Sequence, residues 1–296
     1  MDDAEKFLCA LFLPSADIPG YYRLKRCLSD FARIRTPMTS ILDAGCGAGA
    51  KSVYFAHTHP GIRVVGADVQ PDPLRYAERL KQKFSVPNAT FVRRDLVNSS
   101  DLGRFDFIVT SDVLEHFEED GRYAANLDAM LNPGGHIHIN TPAKEHGYDF
   151  SELSPAAQED LRRWMKDVGH VRLGYTPEEL KALFPNCDLV SMRKIGNSCT
   201  KLAYFFWEKT ILDPQRTAPP PWRDYTMPLF GRIEALIERH CVARASAAPP
   251  AAPRLNERMF LQAIRTIDLG IELEEKGALD PRYLLEEELC CLLRKP

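Results

Sequence analysis

The 296 residues are enough for two ordinary domains or one enlarged one. Hydrophobic residues at 45% and charged residues at 27% exclude a disordered or fibrous chain, and a net charge of -3 without any Lys/Arg block argues against nucleic acid as a partner. The 8 cysteines contain no C-x-x-C pair, so no zinc knuckle or redox motif is indicated and a reducing cytoplasm fits best.

The N-terminal stretch MDDAEKFLCALFLPS opens on acids instead of a basic region and reads as an amphipathic helix, not a signal peptide. No apolar run reaches the roughly 18 residues that a membrane span needs. Residues 1–39 are expected to hold helices broken at Pro14 and again at Pro19-Gly20, the second being amphipathic YYRLKRCLSDFARI. Between Ile41 and Pro142 short apolar runs alternate with polar helical stretches. SILDA, RVVGA, ATFVR, RFDFIVT and HIHIN are the expected strands of a parallel sheet with crossover helices, an α/β fold. In TPEELKALF, Thr176 and Glu179 form a capping box, with Pro177 at the first helical position. CDLVSMRKI is a sixth strand, followed by the helical segment TKLAYFFWEKTIL and then PPP at 219–221. Residues 226–242 look helical, 243–253 form a low-complexity linker, NERMFLQAIRTIDLGIELEEKG is helical, and ELCCLLRKP closes the chain as a buried strand.

The chemistry concentrates at strand ends. Asp43 ends the first strand directly before Gly45-Cys46-Gly47-Ala48-Gly49, a turn that opens a helix. Glycines let the backbone pass close to a ligand, and the helix N-terminus offers N–H groups to an anion. A carboxylate in this turn repels a pyrophosphate but welcomes an ammonium group beside a carboxylate, as in the amino-acid end of S-adenosylmethionine. The same residues through Ala50 also satisfy G-x-G-x-x-A, a nicotinamide-binding variant. Asp68 ends the second strand, where a carboxylate accepts from ribose hydroxyls in either case. Asp95 follows the third, placed to accept from an adenine amino group, while Leu96 supplies a backbone N–H. Cys46 fills a tight loop.

The run from Ile41 to Pro142 resembles the class I S-adenosylmethionine-dependent methyltransferase family. ILDAGCGAG matches its glycine-rich motif, VVGAD its ribose-binding acid, RRDL its adenine-contacting acid, FDFIVTSDVLEHF its fourth motif and LNPGGHIHINTP the turn before its fifth strand. GHVRLGYTPEELKALF is similar to a segment of bacterial small-molecule and glycan- or lipid-pathway methyltransferases. The resemblance implies a Rossmann-like, seven-stranded, mostly parallel sheet with an antiparallel last strand. Residues 40–213 would then be the cofactor-binding core, 214–286 a helical insertion between strands six and seven, and 287–296 the final strand. S-adenosylmethionine is the implied cofactor, with Asp43, Gly45, Gly47, Asp68, Val69, Asp95, Leu96 and Ser111 as its contacts. Tyr22 and Arg23 either close over its carboxylate or belong to the surface of an amphipathic helix.

Methyl transfer asks for in-line placement of a nucleophile in a water-poor pocket, with a base where the acceptor is a hydroxyl. His170 and His116 are the candidate bases, each with a loop-shaping role as its rival. The ubiquinone-pathway O-methyltransferases have a metal-ligating acid-x-x-Glu-His arrangement similar to Asp112-Val113-Leu114-Glu115-His116; no metal is expected here. His136 and His138 alternate on strand five as a metal pair or, more commonly, a half-buried strand face. YFFW at 204–207 lines an apolar acceptor pocket or packs a core helix. Trp222, Tyr225, Met227 and Phe230 are the expected gripping residues of a cap. The expected activity is methyl transfer to a small molecule, at a hydroxyl oxygen, by a cytoplasmic enzyme able to form a homo-oligomer. A nicotinamide oxidoreductase and a non-catalytic S-adenosylmethionine-binding partner protein are the rivals. The base-methylating class is disfavoured because S-D-V-L stands where that class carries D/N/S-P-P-aromatic.

Overall fold

The computed structural model describes residues 3–13, 17–144, 155–197, 199–200, 203, 257–278 and 284–296. Helix α1 spans Asp3–Phe12 and α2 spans Ile18–Phe31. Pro19 and Gly20 do not break a helix, contrary to the sequence expectation. Asp17 caps α2 by accepting from Gly20 N at 2.7 Å, and Pro19 stands in the first turn, where a missing N–H costs nothing. Pro14 lies outside the described residues.

The core then runs β1 (Ser40–Ala44), α3 (Ala50–Thr58), β2 (Arg63–Asp68), α4 (Pro71–Phe84), β3 (Ala89–Arg93), β4 (Phe105–Ser111), α5 (Asp120–Ala129) and β5 (Leu131–Pro142). Helices α6 (Pro155–Val168) and α7 (Pro177–Ala182), strand β6 (Asp188–Asn197), helix α8 (Glu257–Glu275) and strand β7 (Leu284–Arg294) follow. The seven strands lie in the order β3-β2-β1-β4-β5-β7-β6. Strands β1 to β5 pair in parallel, and β7 is antiparallel to both of its neighbours, as the resemblance implied. Strand β5 begins earlier than HIHIN: Leu131 already pairs with Phe105, an irregularity follows, and His136 stands against Phe107. The intervening turn is held by Gly134 N, which donates to Lys295 O at 2.9 Å. The capping box of α7 is present, with Glu179 N donating to Thr176 Oγ1 and Thr176 N to Glu179 Oε2.

Two apolar layers sandwich the sheet. Leu24 and Cys27 of α2, Val53 and Phe55 of α3, and Phe260, Ile264 and Ile267 of α8 share one layer with Phe107 and Val109 of β4. Tyr123 and Leu127 of α5 and Leu180 of α7 share the other with Ile137 and Ile139. The described part of the insertion, α8, thus belongs to the main core. Residues 204–256, with YFFW, the linker, the expected helix at 226–242 and the aromatic cluster from Trp222 to Phe230, fall outside the described residues.

One buried polar cluster lies inside the first layer. His138 Nδ1 donates to Asp30 Oδ2 at 2.9 Å, Arg193 Nη2 to Asp30 Oδ1 at 2.5 Å and Cys290 Sγ to Asp30 Oδ2 at 3.3 Å. His136 and His138 are both buried, which corrects the half-buried strand face expected for them. The guanidinium of Arg193 on the same carboxylate opposes a cation beside His138. Burial pushes the Asp30 carboxyl up, but His138, Arg193 and Cys290 outweigh it, and the net shift is downward. A carboxyl lowered on folding contributes stability above its unfolded pKa, and that stability is lost as pH falls through the folded value. Asp30→Ala is expected to cost about 3–5 kcal/mol at pH 7, because His138 and Arg193 lose a buried partner. Urea unfolding measures it, and the gap between variant and parent should narrow at pH values below 3.8, the usual aspartate value.

Candidate functional site

The C-terminal ends of the parallel strands form one edge, where open α/β sheets bind ligands. At the end of β1 the chain enters a loop with Gly45, Gly47 and Gly49 at φ 78°, 51° and 78°, backbone that side chains rarely adopt. A Cβ on Gly45 would lie 2.3 Å from Val113 Cγ2, whereas one on Gly47 would meet nothing within 4 Å. The loop is therefore packed against the protein at Gly45 and faces open space at Gly47.

Asp68 holds this loop in shape: its Oδ2 accepts from Gly47 N at 2.8 Å and its Oδ1 from Gln70 N at 2.9 Å. An ionised carboxylate offers about four acceptor positions, so two remain for other donors. Val69 beside it is an exposed apolar side chain. Asp95, exposed after β3, accepts from Val97 N at 2.9 Å and Asn98 Nδ2 at 2.7 Å, and the bond from Asn98 leads the causes that lower its pKa. Leu96 is buried, with its carbonyl taking Asn126 Nδ2 at 2.9 Å. Asp43 is enclosed beneath the loop. Ser52 Oγ donates to its Oδ2 at 2.7 Å, while Oδ1 has no hydrogen-bond partner among the described residues. Burial raises its pKa. Ser111 Oγ, at the end of β4, is likewise buried and unpartnered among the described residues. Open space at Gly47, spare acceptor capacity on Asp68 and two orphaned polar atoms make a cradle that fits a ligand with hydroxyls, an amine and a carboxylate.

Beyond β4 the chain passes through Asp112, a non-glycine residue at φ 52°, which aspartate tolerates better than most. Its backbone N donates to Asn140 O at 2.9 Å. Its carboxylate pairs with Arg23 of α2, so Arg23 turns inward instead of lying on an open helix surface. Tyr22 is buried and carries the Arg26 guanidinium 5.0 Å from its ring centroid.

The turn Leu114–His116 places Glu115 in the interior and His116 at the crevice. Glu115 Oε2 accepts from Thr141 Oγ1 at 3.1 Å, and Oε1 lies 3.9 Å from His170 Nε2. Burial, then the Asp112 charge, pushes the Glu115 carboxyl up to about 8. Burial, then His116 and Arg23, pulls His170 down to about 4, so its imidazole is unprotonated at neutral pH. The two imidazoles meet edge to face with ring centroids 4.8 Å apart. His116 Nδ1 pairs with Gly169 O at 3.0 Å, and Val171 N donates to Glu115 O at 2.9 Å, which ties the loop of His170 to the turn after β4.

Ligand atoms of Glu115, His116 and His170 fall within 4.8 Å of one another. The fourth-motif acid is not in that group. Sequence spacing had joined Asp112 to Glu115 and His116, and the fold brings His170 there, with Arg23 engaging Asp112. Asn140 and Thr141, which sequence reasoning passed over, stand at the adjoining end of β5. Their only sequence signal is a switch from apolar to polar residues as HIHINTP leaves the sheet.

Residues 42–137 match the methyltransferase domain family. The chain is 27% identical over 168 residues to a ubiquinone biosynthesis O-methyltransferase of Brucella ovis, a match covering 55% of this chain and 64% of that one. It is 25% identical over 141 residues to a carboxy-S-adenosyl-L-methionine synthase of Alteromonas mediterranea, covering 46% and 58%. Both matches span less than two thirds of the relatives' own length. Among solved structures, coclaurine N-methyltransferase bound to N-methylheliamine and SAH superposes with a TM-score of 0.52 at 14% identity, covering 91% of this chain and 71% of that one, a likeness of fold. The matched domain, the glycine loop and the sheet order agree in supporting a class I S-adenosylmethionine-dependent methyltransferase, with S-adenosylmethionine as the cofactor they indicate.

Proposed function

We propose that this chain transfers the methyl group of S-adenosylmethionine to a hydroxyl oxygen of a small-molecule acceptor. The bound cofactor supplies an electrophilic methyl on a sulfonium. Asp68 accepts from the ribose hydroxyls while keeping the loop amides aligned, Val69 packs on the adenine, and Asp95 with the Leu96 N–H reads its edge. Gly45 and Gly47 let the backbone approach the amino-acid end, and Ser111 bonds it. Asp43 acts from beneath the loop, and Arg23 closes over the carboxylate, on a helix that Tyr22 anchors in the core. His170 takes the hydroxyl proton as the oxygen–carbon bond forms and the carbon–sulfur bond breaks. His116, held by Gly169 O, shapes the pocket and shields it from water.

The observation that carries this reading is the meeting of an unprotonated, largely buried His170 with the strand edge that holds the glycine loop and Asp68. A base must be unprotonated before it can work, and burial keeps His170 so across the neutral range. A metal-assisted reading draws on the grouping of Glu115, His116 and His170; the proposal here needs no metal.

S-adenosylmethionine and S-adenosylhomocysteine should raise the thermal midpoint through binding to the folded state, and NAD(H) and NADP(H) should not. Asp68→Ala should remove most of that rise; an unchanged rise would falsify the ribose assignment.

His170→Ala should lower the turnover rate by about 10²- to 10⁴-fold with cofactor affinity nearly unchanged. A variant that only raises the acceptor KM shows His170 to be a shaping residue.

EDTA should leave turnover unchanged. Complete loss on chelation with recovery by magnesium, manganese or zinc would replace the His170 base with the metal-assisted reading.

A further inference from the structure

Buried polar atoms in folded proteins nearly always have partners, and each one left without costs about 1–3 kcal/mol. Of the buried acceptor oxygens without a hydrogen-bond partner among the described residues, three gather at one place. Asp112 Oδ1, Glu115 Oε1 and Asn140 Oδ1 all stand at the adjoining ends of β4 and β5, next to Ser111 Oγ. Their adjacency is fixed by the backbone: Asp112 N donates to Asn140 O at 2.9 Å, Ser111 pairs with Asn140 across the sheet, and Glu115 is bonded to the neighbouring Thr141. Glu115 and Asn140 are almost completely enclosed, so water at the surface does not serve them.

This set offers acceptor oxygens and, at Asp112 and Glu115, two carboxyls that burial pushes up. Of the groups that face it, Arg23 is engaged with the other oxygen of Asp112, Lys51 and His116 act on Asp112 through charge, and His170 Nε2 stands 3.9 Å from Glu115 Oε1, beyond hydrogen-bond reach. The cofactor assignments above use Asp43, Ser111, Asp68 and Asp95, and leave these three oxygens over. A hydroxyl brings one donor, whereas an ammonium brings three from a single atom together with a positive charge. Placed beside Asp112 and Glu115, that charge would favour the ionised form of both carboxyls, which burial opposes.

We infer that the acceptor is a small amino alcohol or aminophenol whose ammonium group is held by Asp112 Oδ1, Glu115 Oε1 and Asn140 Oδ1, leaving its hydroxyl for methylation. The inference rests on the methyltransferase reading and names the class of acceptor for that same site. It replaces an apolar acceptor with one that carries a cationic handle.

Matched probes isolate the handle: tyramine against 4-hydroxyphenethyl alcohol, and ethanolamine against ethylene glycol. In each pair an ammonium replaces a hydroxyl and the rest is unchanged. Each probe is titrated into the full-length protein saturated with S-adenosylhomocysteine, with thermal stability as the readout. The amines are expected to stabilise the complex at concentrations about tenfold below their alcohol partners, as charge-assisted bonds require. Glu115→Gln and, separately, Asp112→Asn should erase that tenfold preference while each variant still responds to S-adenosylhomocysteine, which shows that it is folded. Equal stabilisation by amine and alcohol, or none by either amine, would overturn the inference. So would stabilisation by manganese alone that EDTA reverses and that displaces tyramine, which would assign the oxygens to a metal. Absence of any response to S-adenosylhomocysteine in the parent protein would instead sink the methyltransferase reading, so the two failures are distinct.

Discussion

Helix α2 is fastened to the sheet by charge. Arg23, Arg26 and Asp30 are separated by three and four positions, the spacing that puts side chains on one face of a helix. All three turn inward. Arg23 meets Asp112 at the strand edge, Arg26 Nη2 meets Glu274 Oε1 of α8 at 2.6 Å, and Asp30 gathers His138, Arg193 and Cys290 from β5, β6 and β7. Removing one member of such a buried pair leaves the other charge uncompensated, so the helix can hardly shift without breaking all three. The cost of burying those charges is repaid in register: α2 has one depth and one rotation at which every anchor finds its partner.

That constraint explains which parts of the molecule were legible in the sequence. The strands, the glycine loop and the acids Asp43, Asp68 and Asp95 were legible because each depends on neighbours a few positions away. The capping box at Thr176 and Glu179 is local in the same sense. The anchors of α2 were not, because Asp30 finds His138 and Cys290 at separations of 108 and 260 residues. Nothing in the spacing of YYRLKRCLSDF distinguishes an arginine bound for a buried carboxylate from one facing water. Pro19-Gly20 was misread for a related reason. The pair signals a break when taken alone, and only the bond from Gly20 N to Asp17 shows it to be a helix start.

The candidate site divides along the same line. Its glycine-loop half, from Asp43 to Asp95, lies in one continuous stretch of sequence. The half around Glu115 is assembled from separate elements, with Arg23 from α2, Asp112 and Glu115 from the turn after β4, Asn140 and Thr141 from β5, and His170 from the loop after α6. Sequence spacing grouped Asp112 with Glu115 and His116 as though the turn presented them together. The turn at Asp112, with its left-handed backbone, gives them different partners: one Asp112 oxygen meets Arg23, while Glu115 turns inward to Thr141 and His170. Burial raises both carboxyls, and at Asp112 the Arg23 guanidinium offsets part of that rise.

The long connection between β6 and β7 fits this architecture as a brace. Its described helix, α8, takes Tyr21 Oη on Asp268 at 2.8 Å, Ser29 Oγ on Glu275 at 2.7 Å and Arg26 on Glu274. Glu274 also accepts from Asn197 Nδ2 at 2.9 Å, which links α8 to the end of β6. These contacts run along the same helix that carries Arg23 to the strand edge. A minimal fold, with β6 and β7 joined by a hairpin, would lack α8 and leave α2 held on one side only. Arg26 would then be a buried cation without its carboxylate, a state costly enough to expel the helix from the sheet. The added segment thus braces α2, the helix that carries Arg23 to Asp112.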